Sequence, residues 1–220
     1  MRTRPSVVAI LCALMTVGLT ACTPPAPVQH VADGGVLDPN LIDAGELQQL
    51  PNVDEAVAQA IVAARPVLSA GAFDAVLAPM LSEEQRTELY ARAFRAIDLN
   101  SASREEIMLI PGMSERMAHE FEEYRPYTSM EQFRREIGKY VDTTEVARLA
   151  QYVHIPVPLN AGTKAQLLRV PGMSERMVHE VEEYRPYASI EQFRKEIGKY
   201  VDEQELARLE SYVVLDPVQE

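Results

Sequence analysis

Apolar residues recur along this chain at helical spacing in short bursts, each opened by a small polar residue and closed near a proline or glycine. Asp43-x-x-Glu46, Ser103-x-x-Glu106 and Thr163-x-x-Gln166 have the form of a capping box: an N-cap oxygen takes one free amide and the third residue reaches back to another. The helix that follows carries Leu47 and Leu50, Ile107 and Ile110, or Leu167 and Val170 on one side. It stops at Pro51, Pro111 or Pro171. A second helix is capped by Asp54, Ser114 or Ser174. Its apolar stripe runs Met113, Met117, Ala118, Phe121, Tyr124, or Met173, Met177, Val178, Val181, Tyr184, and ends at Arg-Pro. Ser129-x-x-Gln132 and Ser189-x-x-Gln192 open a third helix holding Phe133 and Ile137, or Phe193 and Ile197. Ser82-x-x-Gln85, Asp142-x-x-Glu145 and Asp202-x-x-Glu205 cap a fourth, with Leu89, Leu149 or Leu209. The pattern predicts an all-α chain of short helices paired in hairpins.

The elements repeat every sixty residues. Pro111 to Met117 returns at 171–177, Glu122 to Tyr127 at 182–187, and Phe133 to Asp142, with one Arg/Lys change, at 193–202. A weaker copy stands upstream, where Asp38, Asn40, Pro51, Arg65-Pro66, Ser69, Phe73 and Leu89 match Asp98, Asn100, Pro111, Arg125-Pro126, Ser129, Phe133 and Leu149. We divide the chain into 1–21, 22–37, a degenerate unit 38–97, and units 98–157 and 158–217, each unit of about four short helices. A sixty-residue unit is near the lower limit for folding alone, so the copies are expected to lean on one another. A multiplied unit points to binding or length. We find no Ser/His/Asp set, paired-carboxylate cleft, zinc-ligand spacing or nucleotide-type glycine loop, so no enzyme, cofactor or small-molecule substrate is expected.

The first 37 residues have a different character. Arg2 and Arg4 precede an apolar run, Val7 to Leu19, too short to span a bilayer comfortably. Leu19-Thr20-Ala21-Cys22 then resembles the lipobox of bacterial lipoproteins, which implies cleavage before Cys22 and acylation of its thiol and new amino terminus. Residues 22–37, rich in Pro and Gly, read as a tether. The expectation is an exported protein, lipid-anchored to a bacterial membrane. Thr23 after the Cys implies the periplasmic side of the outer membrane in a Gram-negative cell.

Asp98-Leu99-Asn100-Ser101-Ala102-Ser103-Arg104-Glu105-Glu106, followed by Leu109-Ile110-Pro111-Gly112-Met113 and a helix ending Tyr124-Arg125, resembles the helix-hairpin-helix domain of ComEA-type competence proteins. The likeness covers about 38–215, strong in the last two copies and weak in the first. It implies non-sequence-specific DNA binding, with amides of a Gly-rich hairpin and a nearby cation directed at a phosphate. The phosphate candidates it supplies are Gly112, Met113, Ser114 and Arg116, with Gly172, Met173, Ser174 and Arg176. A second pair of candidates is Gly138-Lys139 and Gly198-Lys199. The family's second glycine is here Ser114 or Ser174, and Glu115 or Glu175 follows it.

Charge works against that reading. The chain carries −12, which becomes −14 once Arg2 and Arg4 are removed, and the units carry about −5, −4 and −3. Arg134, Arg135 and Lys139, or Arg194, Lys195 and Lys199, form the basic cluster of each later unit and read as a solvated face balancing nearby glutamates. Glu115, His119, Glu122 and Glu123, with their copies, read as an outward stripe rather than a metal site, and the tyrosines as core packing. Two functions remain. The first is an envelope module that binds a protein partner or acts as a spacer; the second is capture of the DNA backbone by units two and three.

Overall fold

A computed structural model describes residues 35–216; the export signal, Cys22 and most of the tether lie outside the described residues. The chain is all-α. The first unit holds α1 (Ala44–Leu47), α2 (Glu55–Ala63), α3 (Ala70–Leu77) and α4 (Glu83–Tyr90). The second holds α5 (Arg104–Met108), α6 (Glu115–Glu123), α7 (Met130–Ile137) and α8 (Thr143–Leu149). The third holds α9 (Lys164–Leu167), α10 (Glu175–Glu183), α11 (Ile190–Ile197) and α12 (Glu203–Glu210). Every one of these helices starts at a Ser, Thr or Asp whose side chain accepts the amide three residues on. Each such cap contributes on the order of 1 kcal/mol. The reciprocal bond of a full box closes at Asp43, Ser82, Ser103 and Thr163. At α8 and α12 it does not: Glu145 and Glu205 turn away to hold Arg148 and Arg208, each through two hydrogen bonds of 2.6–2.7 Å.

Each unit closes on itself through a parallel strand contact that periodicity did not predict. Leu37 pairs with Ala93; β1 (Ile97–Asp98) pairs with β2 (Val153–His154), and β3 (Val157–Pro158) with β4 (Val213–Val214). Two polar staples then lock the start of each unit to its middle. The Asn40, Asn100 and Asn160 amides donate to the carbonyls of Val67, Tyr127 and Tyr187 and accept from the same residues' N–H groups. The guanidinium groups of Arg65, Arg125 and Arg185 reach back to two carbonyls each, Pro39 and Ile42, Leu99 and Ala102, Leu159 and Gly162. The Arg-Pro bonds that follow are cis in all three units. Asp38 and Asp98 fix their asparagines by accepting the Asn40 and Asn100 backbone amides at 2.9 Å. The third unit has Pro158 at that position. Asp216, beyond the last strand, replaces it and accepts from Asn160 and Ala161 at 2.7 and 3.0 Å.

The units do not form a string of equal beads. A single apolar core runs through the first two, from Ile42 to Val153, while the third has its own, from Val157 to Val213. The reason lies in residue size at α3. Ala70 and Gly71 let α5 approach, and Glu106 accepts the Gly71 amide at 3.2 Å. The corresponding residues between units two and three are Met130, Glu131 and Gln166, and there the junction opens into a cleft of about 800 Å³. The third unit also returns to the first. Tyr212 donates to Asp38 at 2.6 Å, and Leu41 lies against Gly172. Each unit therefore touches both others.

Candidate functional site

The hairpin between the first two helices of a unit needs a left-handed residue. Gly112 and Gly172 both have φ +74°, and Asn52, which tolerates that region, takes φ 62° in the first unit. Asn52 donates its side-chain amide to Glu88 at 2.8 Å, across the gap that Arg148 and Arg208 fill in the later units. Backbone conformation alone thus accounts for these glycines. Both glycines are exposed, and side chains of other segments stand close to them. Pro111, Gly112 and Met113 line a small cavity of about 120 Å³ to which the first unit contributes Asp74, Glu83 and Arg86, the last held by Asp74 at 2.7 Å. At Gly172 an added Cβ would lie 2.9 Å from Arg208 Nη2 and 3.2 Å from Leu41 Cδ2. Arg208, only 2 % exposed, also donates to the Pro171 carbonyl at 2.6 Å.

The other hairpin candidates have local tasks. Met113 and Met173 donate their amides to Ile110 and Val170 at 3.0 Å, and Met173 is buried. Ser114 and Ser174 cap α6 and α10 by accepting from Met117 and Met177, so their hydroxyl oxygens are already engaged. Glu115 lies 3.0 Å from Arg104, and Glu175 lies 3.7 Å from Lys164. Arg116 and Arg176 stand apart from this pairing. Both are exposed in the first turn, and among the described residues neither has a carboxylate within 4 Å; Arg116 lies over the Tyr140 ring at 5.8 Å.

Gly138 and Gly198 end α7 and α11 in right-handed conformation, where an added Cβ would fall 2.7 or 2.6 Å from the carbonyl oxygen of Arg134 or Arg194. Lys139 and Lys199 sit 4.8 Å from the Tyr124 and Tyr184 rings and pair with Glu136 and Glu196. The hydrogen bond from Lys139, with one from Arg135, holds the Glu136 carboxyl below the usual carboxylate range, and the same contact raises Lys139. Arg194 is held by Glu210 at 2.6 and 2.7 Å. Most of the basic cluster is therefore balanced within its own unit. The His119 and His179 stripes face solvent, with carboxylates of Glu123 and Glu183 at 4.0 and 3.6 Å. Among the described residues no group of three or more His, Cys, Asp or Glu is gathered to hold a metal, and no helix is long and apolar enough to cross a membrane.

Sequence reasoning missed the polar group where the three units meet. Arg95, 1 % exposed, lies 4.0 Å from the centroid of the Tyr212 ring and donates to Ser211 Oγ at 2.7 Å. His154 also packs against that tyrosine, ring centroids 4.6 Å apart and the planes tilted by 53°. Burial, with the charge of Arg95 added, pushes His154 down to about 3, so its imidazole is neutral. Burial and Asp38 push the Tyr212 phenol well up. His154 Nδ1 and Arg95 Nε are both buried without a hydrogen-bond partner, and His154 forms part of the wall of the 800 Å³ cleft. A signal was present in the repeat itself. Aligned at sixty residues, Phe94, His154 and Val214 differ, as do Arg95, Ile155 and Leu215, and such departures at one register mark contacts between unequal units.

No protein-family model, no curated protein and no solved structure matches this chain significantly.

Proposed function

We propose that the chain is a non-catalytic helix-hairpin-helix protein, lipid-anchored through Cys22 to the bacterial envelope, that holds a protein partner there. The observation that carries this reading is the placement of the hairpin glycines. Gly112 opens on a cavity whose lining includes Asp74, Glu83 and Arg86, and Gly172, though exposed, has Leu41 and Arg208 within 3.4 Å of where a Cβ would stand. A phosphate would meet, at the first, Glu83 and an arginine, Arg86, already held by Asp74 at 2.7 Å, and, at the second, Arg208, already held by Glu205 at 2.6 Å. Internal pairing of Lys139 and Lys199 with glutamates, in a chain of net charge −12, supports the same conclusion.

A second reading, capture of the DNA backbone, rests on Arg116 and Arg176, the two hairpin cations without a carboxylate partner among the described residues. Photo-crosslinking from positions 116 and 169 of the full chain in its own membrane separates the two. Discrete protein adducts are expected. Adducts to DNA from position 116, with no protein adduct from either position, would replace the first reading by the second.

A further inference from the structure

An aromatic contact made at position 94 recurs sixty residues on with one change of ring. Phe94 packs edge-on against Tyr152, centroids 5.3 Å apart, and His154 takes the same place against Tyr212 at 4.6 Å. A phenyl ring suffices in the first contact, so packing does not require an imidazole in the second. The histidine stands where the third unit is joined to the other two. Tyr212 donates to Asp38 of the first unit at 2.6 Å, and its ring centroid lies 4.0 Å from the Arg95 guanidinium.

Three observations bear on what a proton does there. The first is an enclosed atom: His154 Nδ1 is buried and has no hydrogen-bond partner. With the ring neutral and its hydrogen on Nε2, Nδ1 is only an unused acceptor. In the imidazolium both nitrogens carry hydrogen, and Nδ1 becomes a buried donor without an acceptor, the costlier state. The second is charge. Arg95, 1 % exposed, packs on the same tyrosine, and its Nε also lacks a partner. The nearby acids are committed elsewhere. Asp98, in register with His154, accepts from the Asn100 amide and the Ser101 hydroxyl. Asp38, beyond the phenol, accepts from Asn40 and Tyr212 and feels the charges of Arg65 and Arg208. Glu131, in the cleft that His154 borders, has Arg134 at 3.8 Å, and Arg169 lines the same cleft. Burial and Arg95 together hold the imidazole down to about 3. The third is that unit three can part from the rest as a body. Its apolar core is its own, it follows unit two through Ile155 and Pro156 at the cleft wall, and among the described residues no helices across that junction pack as α3 packs on α5.

We propose that Arg95, His154 and Tyr212 form an acid-sensitive latch: a proton taken up by His154 releases the third unit from the first, parting Tyr212 from Asp38, while the joint core of units one and two stays closed. In the released state the imidazole meets water and titrates near its ordinary 6.5. The ratio of open to closed chain therefore rises about tenfold for each pH unit below 6.5, down to about pH 3. Opening uncovers the Asp38 carboxylate and the Gly172 hairpin, against which Leu41 lies in the closed chain. The latch works in the same way whatever partner the chain holds.

Pulsed electron paramagnetic resonance on the full chain in detergent reads the latch, with nitroxides on ketone-bearing residues introduced in place of Gln49 and Gln204, exposed in the first and third units. A second pair, at Gln49 and Thr144, spans the first and second units. From pH 7.5 to 4.5 the ratio of long to short distances for the first pair is expected to rise about a hundredfold, and the second pair to keep its distance. Tyr212→Phe, without the Asp38 bond, is expected to show a larger long-distance fraction at every pH with the same dependence. His154→Phe, which copies the Phe94 contact, and His154→Gln are expected to remove the dependence. Distances that do not respond to pH in either the parent or Tyr212→Phe overturn the proposal, as does a response that survives in both His154 variants. Matching lengthening of the second pair also overturns it, since the whole chain would then be opening.

Discussion

Tyr212 donates its hydroxyl hydrogen to Asp38 Oδ2 at 2.6 Å, joining two residues 174 apart, one at the end of the third unit and the other at the start of the first. The phenol is deeply buried, and its ring packs against both Arg95 and His154. One bond thus belongs to a contact in which all three units take part, although the third has a separate apolar core.

Tyr212→Phe removes the bond and leaves the packing. Hydrogen bonds to charged groups contribute about 1.5–3 kcal/mol, and a loss in that range is expected by urea unfolding. Hydrogen exchange is expected to locate the loss in the third unit, with the joint core of units one and two retaining its protection. A uniform loss across the chain would mean that the three units unfold as one.

Stability is expected to fall on acidification through His154. Its folded value is about 3 against an ordinary 6.5, so below pH 6.5 the unfolded chain takes up a proton that the folded chain refuses. The contribution is absent above pH 6.5 and grows by about 1.4 kcal/mol per pH unit below it, down to about pH 3. Urea midpoints at pH 7.5 and 5.5 measure it. In His154→Gln the pH dependence over that window is expected to shrink; an unchanged dependence would show that His154 is protonated in the folded chain.

Asp216→Ala is expected to destabilise the third unit by about 1–3 kcal/mol, because it strips the Asn160 and Ala161 amides of their acceptor. Replacing Pro158 with Asp in the same chain restores the arrangement of Asp38 and Asp98 and is expected to recover part of the loss. Failure of Asp216→Ala to change the unfolding midpoint would show that the staple contributes nothing there.

At the hairpins, Gly112→Ala is expected to cost about 1–2 kcal/mol for the left-handed backbone, and Gly112→Asn less, since Asn52 already adopts it. Gly172→Ala is expected to cost more, because its Cβ would press on Arg208 and Leu41. Thermal or urea midpoints of the three variants give the order. Equal costs for Gly112→Ala and Gly172→Ala would mean that Leu41 and Arg208 give way to the added Cβ.

The helices were legible because local rules govern them. Capping residues mark every start, prolines follow the first two helices of each unit, and Phe121, Phe133, Val181 and Phe193 fall on the buried faces that periodicity assigns. The motif residues were legible as a pattern but not as a task. Asn100 and Arg125 are staples between segments 23 to 27 residues apart, a distance over which helical spacing says nothing. The reciprocal bonds expected of Glu145 and Glu205 gave way to Arg148 and Arg208, because a bidentate arginine competes well with a single amide. The cleft and the buried group around Tyr212 depend on which residues of different copies meet. Only the mismatched registers at 94/154/214 and 95/155/215 pointed there.

The claim that the hairpins are kept for folding rather than for phosphate is tested most directly by titrating the full chain with duplex DNA across a range of salt. The account predicts no saturable binding at low or moderate salt, in the parent chain or after Arg116→Ala and Arg176→Ala together. Saturable binding whose log–log slope is about −0.9 per phosphate neutralised, and which becomes shallower in that double variant, would contradict it.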